Sequence, residues 1–335
     1  MLVALVLGCS SAATRKAAEA SPAPSLAASS VPVATPLSGP TPSAAAVSPV
    51  AFACRLPLLR QVVSIHSQAG MLTFPAGTFT PSSNAPASPG YYDVAVSKWL
   101  PVGRGAVAPD GLHYAFMTGG SPSLTPGPPR LHIVSAATGV ERVLDLALSD
   151  SQPYGVEDYA ADAVYIGSGW EGAVFGHWRV DPGSGGVVLL AGKELLLDDG
   201  TGHAWRTVFD PRDPAPVLSA MDGKPMSNEV VRRNLKSGVD EVWFYHPGLS
   251  VAIAGHFVGG GLLVWGEAAQ GPHQYWLVTA PSQARLVTYL DGGSGSIADV
   301  HGVWMGGLGG LYLFTKDGDV RRVSDVYGEP AHGCL

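Results

Sequence analysis

Charge is scarce in this chain: only 14% of its 335 residues are Asp, Glu, Lys or Arg, and the net charge is −7. No Lys/Arg cluster exceeds two neighbours, as at Arg232-Arg233 and Arg321-Arg322. Binding to a phosphate backbone needs a concentrated basic face, so a nucleic-acid partner is excluded. Beyond the N-terminus, no apolar run reaches the ~20 residues of a membrane-crossing helix. No P-loop, dinucleotide fingerprint or EF-hand loop occurs. The serines set among glycines, Ser168 in "YIGSGWEG" and Ser294 in "DGGSGSIAD", miss the G-x-S-x-G spacing of a nucleophile elbow. The ten histidines include no HxH or HExxH pair, so no metal site is expected from His203, His246, His256, His273 and His301, and no cofactor either.

Glycine and proline, by contrast, are abundant, at 43 and 28 residues. Both are poor in helix interiors, which excludes a long-helix protein and suits a chain that turns often. Hydrophobic residues make up 46% of the sequence, enough for a sizeable core. At this length either one large all-β domain or two ordinary ones would fit.

Cysteine is limited to three residues, and their positions are informative. The N-terminus reads "MLVALVLGCSSAATRK". Residues 1–9 resemble a bacterial lipobox, in which Val6-Leu7-Gly8 precedes a lipidated Cys9, although no positive segment precedes the apolar run. Ser10 to Val50 is almost wholly Ala, Ser, Pro, Thr and Val, with only Arg15, Lys16 and Glu19 charged. Such a tract buries too little apolar area to offset chain entropy and is expected to be a disordered tether. The remaining pair, Cys54 and Cys334, flanks the folded region 51–335. In an exported protein this placement predicts a disulfide; in a reducing compartment the two would be thiols. The bridge requires the two ends of the domain to meet.

Five segments share one hairpin pattern: Arg130 to Leu144, His177 to Leu190, Val230 to Trp243, Gln274 to Val287 and Gly310 to Val323. Each is an alternating strand, a polar turn and a second strand. Four place a glycine late in the turn, Gly139, Gly185, Gly238 and Gly318, where tight hairpins need a positive φ. The turns recur roughly every 35 to 55 residues, the spacing of propeller blades. Between them lie weaker strand pairs, "GAVAPDGLHYAFMTG", "YGVEDYAADAVYIGSG", "SVAIAGHFVGGGLLVWGE" and "SIADVHGVWMGG". Two strands plus a hairpin make a four-stranded blade. The expectation is an all-β, six-bladed propeller. Its first, degenerate blade is drawn from "GMLTFPAGTFTP" and "YYDVAVSKWLPV", and a seventh blade arises if Leu58 to Ser67 forms its own sheet. The region from Leu195 to Val217 is the least regular and is expected to carry a long loop.

"VAPDGLHYAFM", Val107 to Met117, resembles the blade signature of TolB-type propellers at Pro109, Asp110 and Gly111. The domain from Cys54 to Leu335 also resembles propeller lipoproteins of environmental bacteria that share its Cys-Arg-Leu-Pro opening and Cys-Leu ending. The resemblance implies a propeller and an envelope location. An N-terminal α/β domain like that of TolB is missing, which puts a role with TolB's partners in doubt.

Candidate site residues follow from this frame. Asp158 and Asp299 sit on expected innermost strands, two residues after Val156 and Ile297, where they either ring the channel mouth or cap local turns. Asp198, Asp199, His203, Trp205, Asp210 and Asp213 cluster in the irregular segment. There Trp205 is either an exposed contact residue or a plug between blades. His301 completes the set. The first functional expectation is a monomeric, non-catalytic binding module on an exported lipoprotein, reaching the membrane through its lipid only and holding a protein, glycan or small ligand. The alternative is a propeller hydrolase or lyase on lactones or sugars, with Asp158 and Asp299 converging at the axis and a metal assisting. A purely structural envelope protein is the third.

Overall fold

The structure is a computed structural model that describes residues 46–335, except 49, 64–65, 121–125, 171–172, 191–196, 199–202, 220–222, 235, 291–292 and 308. Cys9 and the N-terminal part of the expected tether lie outside the described residues.

Six antiparallel sheets follow one another around a ring. Blade 3 contains Tyr154–Tyr159, Val164–Trp170, Ala173–Val180 and Val187–Leu189, paired in chain order. Blade 4 contains Leu197–Asp198, His203–Val208, Glu229–Asn234 and Asp240–Tyr245. Blade 5 contains Ser250–His256, Leu262–Glu267, His273–Ala280 and Gln283–Leu290. Blade 6 contains Ser294–Asp299, Gly302–Gly307, Gly310–Phe314 and Val320–Ser324. In blade 2, His113–Thr118, Arg130–Ser135 and Glu141–Asp145 form three strands. A bridge from Val107 to Tyr114 supplies the fourth position.

Blade 1 closes the ring. Its innermost strand is Gly328–Pro330, from the C-terminus, paired to Cys54–Val63, which is followed by His66–Phe74 and Thr78–Pro81. The first strands of blades 5, 6 and 1 touch in succession, so they line the axis. Each blade buries both faces only against its neighbours, which is why the unit must repeat and why the ends must join. Cys54 and Cys334 are disulfide-bonded, with Cα atoms 5.4 Å apart across 280 residues of chain.

The apolar core is a set of layers between blades. Leu56, Leu58, Leu72 and Phe74 of blade 1 meet Trp304, Leu311 and Leu313 of blade 6. Trp276 and Val264 of blade 5 meet Trp205 and Phe244 of blade 4, and Tyr275 and Leu263 meet Phe314 and Val303 of blade 6. Blades 2 and 3 share Leu131, Ile133, Val164 and Ile166. The period-two alternation of the sequence produces these layers, since successive side chains enter opposite interfaces.

The turn glycines behave as the hairpin pattern requires: Gly139, Gly185, Gly238 and Gly318 have φ between 70° and 85°. Three expectations are corrected. Leu58 to Ser67 adds no seventh sheet, because it belongs to the second and third strands of blade 1. The expected first blade divides. Its Gly70–Pro81 part lies in blade 1, while Tyr91–Asp93 and Lys98–Leu100 form a separate hairpin. That hairpin is a wedge, with Trp99 packed toward Leu59 of blade 1 and Tyr91 and Leu100 toward Val107 and Ala136 of blade 2. Finally, the irregular segment holds the first two strands of blade 4, and the long connection runs instead from Phe209 to Asn228.

Candidate functional site

The sequence-predicted site residues fall in three blades. Asp158 lies on the innermost strand of blade 3, opposite Tyr165. Asp299 ends the innermost strand of blade 6, and each of its oxygens is engaged. Oδ1 accepts the His301 backbone N–H at 2.7 Å, and Oδ2 accepts the Trp304 indole N–H and the Cys334 backbone N–H, both at 2.7 Å. His301 stacks on Phe52 with centroids 3.9 Å apart and planes 6° from parallel. Asp299 and His301 thus fasten the seam where the ring closes.

In blade 4, His203 Nε2 lies 3.4 Å from Asn234 Nδ2. Trp205 is only 4% exposed, which overturns its reading as an exposed contact. Its ring meets Trp243 edge-on at 4.6 Å, with the Arg232 guanidinium 5.3 Å above it. It fills the layer between blades 4 and 5.

Asp210 and Asp213 fold the long connection onto the blade. Asn228 Nδ2 donates to Asp213 Oδ2 at 2.9 Å and Asn228 Oδ1 accepts from the Asp210 N–H at 2.7 Å. Arg212 holds the Asp210 carboxyl below the usual carboxylate range. Glu229 beside it is pushed up to about 7, first by burial and then by the charge of Asp210. Asp198 lies on the first strand of blade 4, and Asp199 is outside the described residues. Among the described residues no group of three His, Cys, Asp or Glu could hold a metal ion.

A second polar feature lies on blade 3. His177 Nδ1 sits 2.5 Å from Glu157 Oε2, the imidazole is buried, and its Nε2 has no hydrogen-bond partner. Glu157 reaches His177 across Gly167, where a Cβ would stand 1.9 Å from Glu157 Oε1. The pair points away from the apolar layer shared with blade 2. Among the described residues, no apolar cluster spans blades 3 and 4.

One concave feature among the described residues that combines apolar walls with polar groups is a cavity of about 150 Å³ between blades 5 and 6. Ile253, Ala254 and Met305 supply aliphatic and thioether wall, while Trp265 and His273 stack as a ledge with centroids 4.9 Å apart. Tyr275 is 1% exposed, and its hydroxyl lies beneath Gly293, where a Cβ would come within 2.5 Å of it. Burial pushes the Tyr275 phenol up to about 12, so it remains a neutral donor across the physiological range. No hydrogen bond to that hydroxyl is present among the described residues. Ser296 Oγ donates to the Ala254 carbonyl and so anchors the two inner strands to each other.

This arrangement is suited to recognition. The nearest carboxylate to His273 is Glu267 at 3.8 Å, beyond hydrogen-bond reach, and the Ser296 hydroxyl proton is committed to a carbonyl. Sequence reading missed the site because its residues come from five separated stretches. The signal was there in part: Trp265, His273 and Tyr275 all fall on strands that the repeat had aligned.

No protein-family model matches the sequence, and no curated protein matches it. Solved structures do resemble the fold. TolB from Acinetobacter baumannii aligns at 11% identity with a TM-score of 0.38, covering 84% of this chain and 66% of that one. A putative 6-phosphogluconolactonase from Bacteroides uniformis aligns at 12% identity with a TM-score of 0.43, covering 83% and 97%. AztD from Citrobacter koseri aligns at 11% identity with a TM-score of 0.39, covering 83% and 84%. The chain spans less than half of some larger matches, such as 42% of dipeptidyl peptidase 4 from Porphyromonas gingivalis. At these identities the likeness concerns fold, and activity does not follow from fold.

Proposed function

We propose that this protein is an exported lipoprotein, anchored through Cys9, whose propeller binds a small ligand in the cavity between blades 5 and 6. The observation that supports the binding reading is the Tyr275 hydroxyl, a neutral donor that makes no protein hydrogen bond among the described residues and faces a cavity with an aromatic ledge. A donor that faces a cavity and is not committed to the protein is free to donate to a bound molecule. The ligand is therefore a small neutral molecule with one flat or apolar face and a hydrogen-bond acceptor; a single sugar ring fits that description. Export is supported by the Cys54–Cys334 bridge, since such bonds persist in oxidising compartments.

The hydrolase reading needs free carboxylates at the axis. Asp299 instead spends both oxygens on three donors at the seam, which favours binding over turnover.

The test is titration of the full-length protein with a panel of monosaccharides and small neutral aromatics, followed by tryptophan fluorescence and thermal shift. A ligand is expected whose affinity falls at least tenfold in Tyr275→Phe. If no compound binds, or if Tyr275→Phe binds as well as the native chain, the cavity is not the site. Labelling with radioactive palmitate in a host that processes lipoproteins tests the anchor, and label that survives Cys9→Ser rejects it.

A further inference from the structure

At several crowded positions the backbone explains the glycine. Gly302 and Gly310 have φ of +145° and +126°, and an added Cβ would meet the carbonyl oxygens of Phe314 and Ser324 at 2.1 and 2.2 Å. Gly293 has neither reason. Its φ lies outside the left-handed range, so alanine could take up the same backbone conformation. The three heavy atoms nearest to a Cβ there all belong to side chains. They are Tyr275 Oη at 2.5 Å, Met305 Sδ at 3.3 Å and Tyr275 Cζ at 3.8 Å. Both side chains line the cavity between blades 5 and 6, and Gly293 is an exposed part of the same wall.

The phenol cannot swing aside freely. Tyr275 is 1% exposed, and its ring lies 5.4 Å from that of Phe314 in the layer shared by blades 5 and 6, with Leu263 and Val303 around it. A ring packed at interior density holds its place. Gly293, by contrast, lies just before Ser294, the first paired residue of the innermost strand of blade 6, and belongs to no ladder pair. A methyl at 293 therefore presses on the hydroxyl and on a loose strand end. Whichever yields, the hydroxyl and the cavity wall lose their relative placement while the strand pairing stays intact.

We infer that Gly293 is a positioning residue of the cavity: its missing side chain lets the Tyr275 hydroxyl lie at the wall, open to a ligand acceptor. The inference goes beyond the binding reading and rests on it for the ligand.

A double-mutant cycle on the full-length protein tests it, with D-glucose, D-galactose, D-mannose and acetophenone as probes and calorimetry as the readout. For a probe that the native chain binds, Gly293→Ala should weaken binding by about tenfold or more, as Tyr275→Phe does. The double variant should be no more than about threefold weaker than Tyr275→Phe alone, because the methyl then has no hydroxyl to displace. The melting temperature of Gly293→Ala should stay within about 3 °C of native, which a mere packing defect would not allow. Native affinity in Gly293→Ala, losses that simply multiply in the double variant, or a larger fall in melting temperature would each overturn the inference and leave the cavity reading in place. Native affinity in Tyr275→Phe, or no binding of any probe, rejects the cavity reading itself and the role of Gly293 with it.

Discussion

The carboxylate of Asp299 accepts the backbone N–H of Cys334 at 2.7 Å, tying the innermost strand of blade 6 to the C-terminal arm of the disulfide. The same oxygen takes the indole N–H of Trp304, a side chain with no exposed surface that packs between blades 6 and 1. One acidic side chain therefore orients the core, the turn and the seam together. Asp299→Ala strands three donors and should cost about 3 kcal/mol, since bonds to a charged acceptor are worth roughly 1.5 to 3 kcal/mol and do not add fully. Urea unfolding of the oxidised protein measures it. A midpoint unchanged from the native chain would mean that the seam is held without Asp299.

Glycine at position 302 should be irreplaceable. Its φ is +145°, and a Cβ there would stand 2.1 Å from the Phe314 carbonyl oxygen, a backbone atom that cannot swing aside. Gly302→Ala is expected to cost about 3 kcal/mol, combining overpacking with backbone strain. At Gly238, with φ +70° and nothing within 4 Å of the added methyl, the cost should be only about 1 kcal/mol. Paired thermal unfolding of the two variants separates close approach from turn conformation.

The pH dependence should have two limbs of opposite sign. Asp210 and Asp240 are held low by Arg212 and Arg233, so their stabilisation is present above the usual carboxylate range and is lost as the pH falls through their depressed values. Glu229 works the other way. Its folded value of about 7 exceeds its unfolded one, so the folded state holds the extra proton and stability declines as the pH rises from about 4.5 to 7. Glu229→Gln removes that decline, worth up to about 3 kcal/mol at pH 8 on the relation of one pKa unit to 1.36 kcal/mol. Melting temperature against pH should flatten across that window in the variant. A native-like slope would place the titration elsewhere.

Tyr275→Phe offers a stability test that is independent of knowing the ligand. A hydroxyl kept for a bound molecule contributes nothing to the empty fold, so its removal should change stability by less than about 0.5 kcal/mol or raise it. A loss above about 1 kcal/mol would reveal a structural partner for the hydroxyl and remove it from the site.

Much of the fold was legible because a propeller repeats its physics. Alternating strands, a positive-φ glycine in the turn and an apolar residue for each interface recur with every blade, and Cys54 and Cys334 bracket the ring. The wedge hairpin from Tyr91 to Leu100 was misread as part of a blade because it alternates like one. Only packing reveals that its two faces serve two different neighbours. The site was less legible. Asp299, His301 and Trp205 have the chemistry of ligand contacts, and they serve the seam and a core layer because of where the sheets carry them. Trp265, His273, Tyr275 and Gly293 converge through strand register, which residue type alone does not announce.

Ring closure is the claim on which the cavity and the seam both depend. Peptide mapping of the purified, unreduced protein by mass spectrometry tests it most directly. A single cross-linked species joining the peptides of Cys54 and Cys334 is expected, with Cys9 in neither, and its reduction should lower stability by about 5 kcal/mol or less on the loop-entropy model. Free thiols at both positions, or a bridge from either cysteine to Cys9, would contradict the closed ring and the anchor with it.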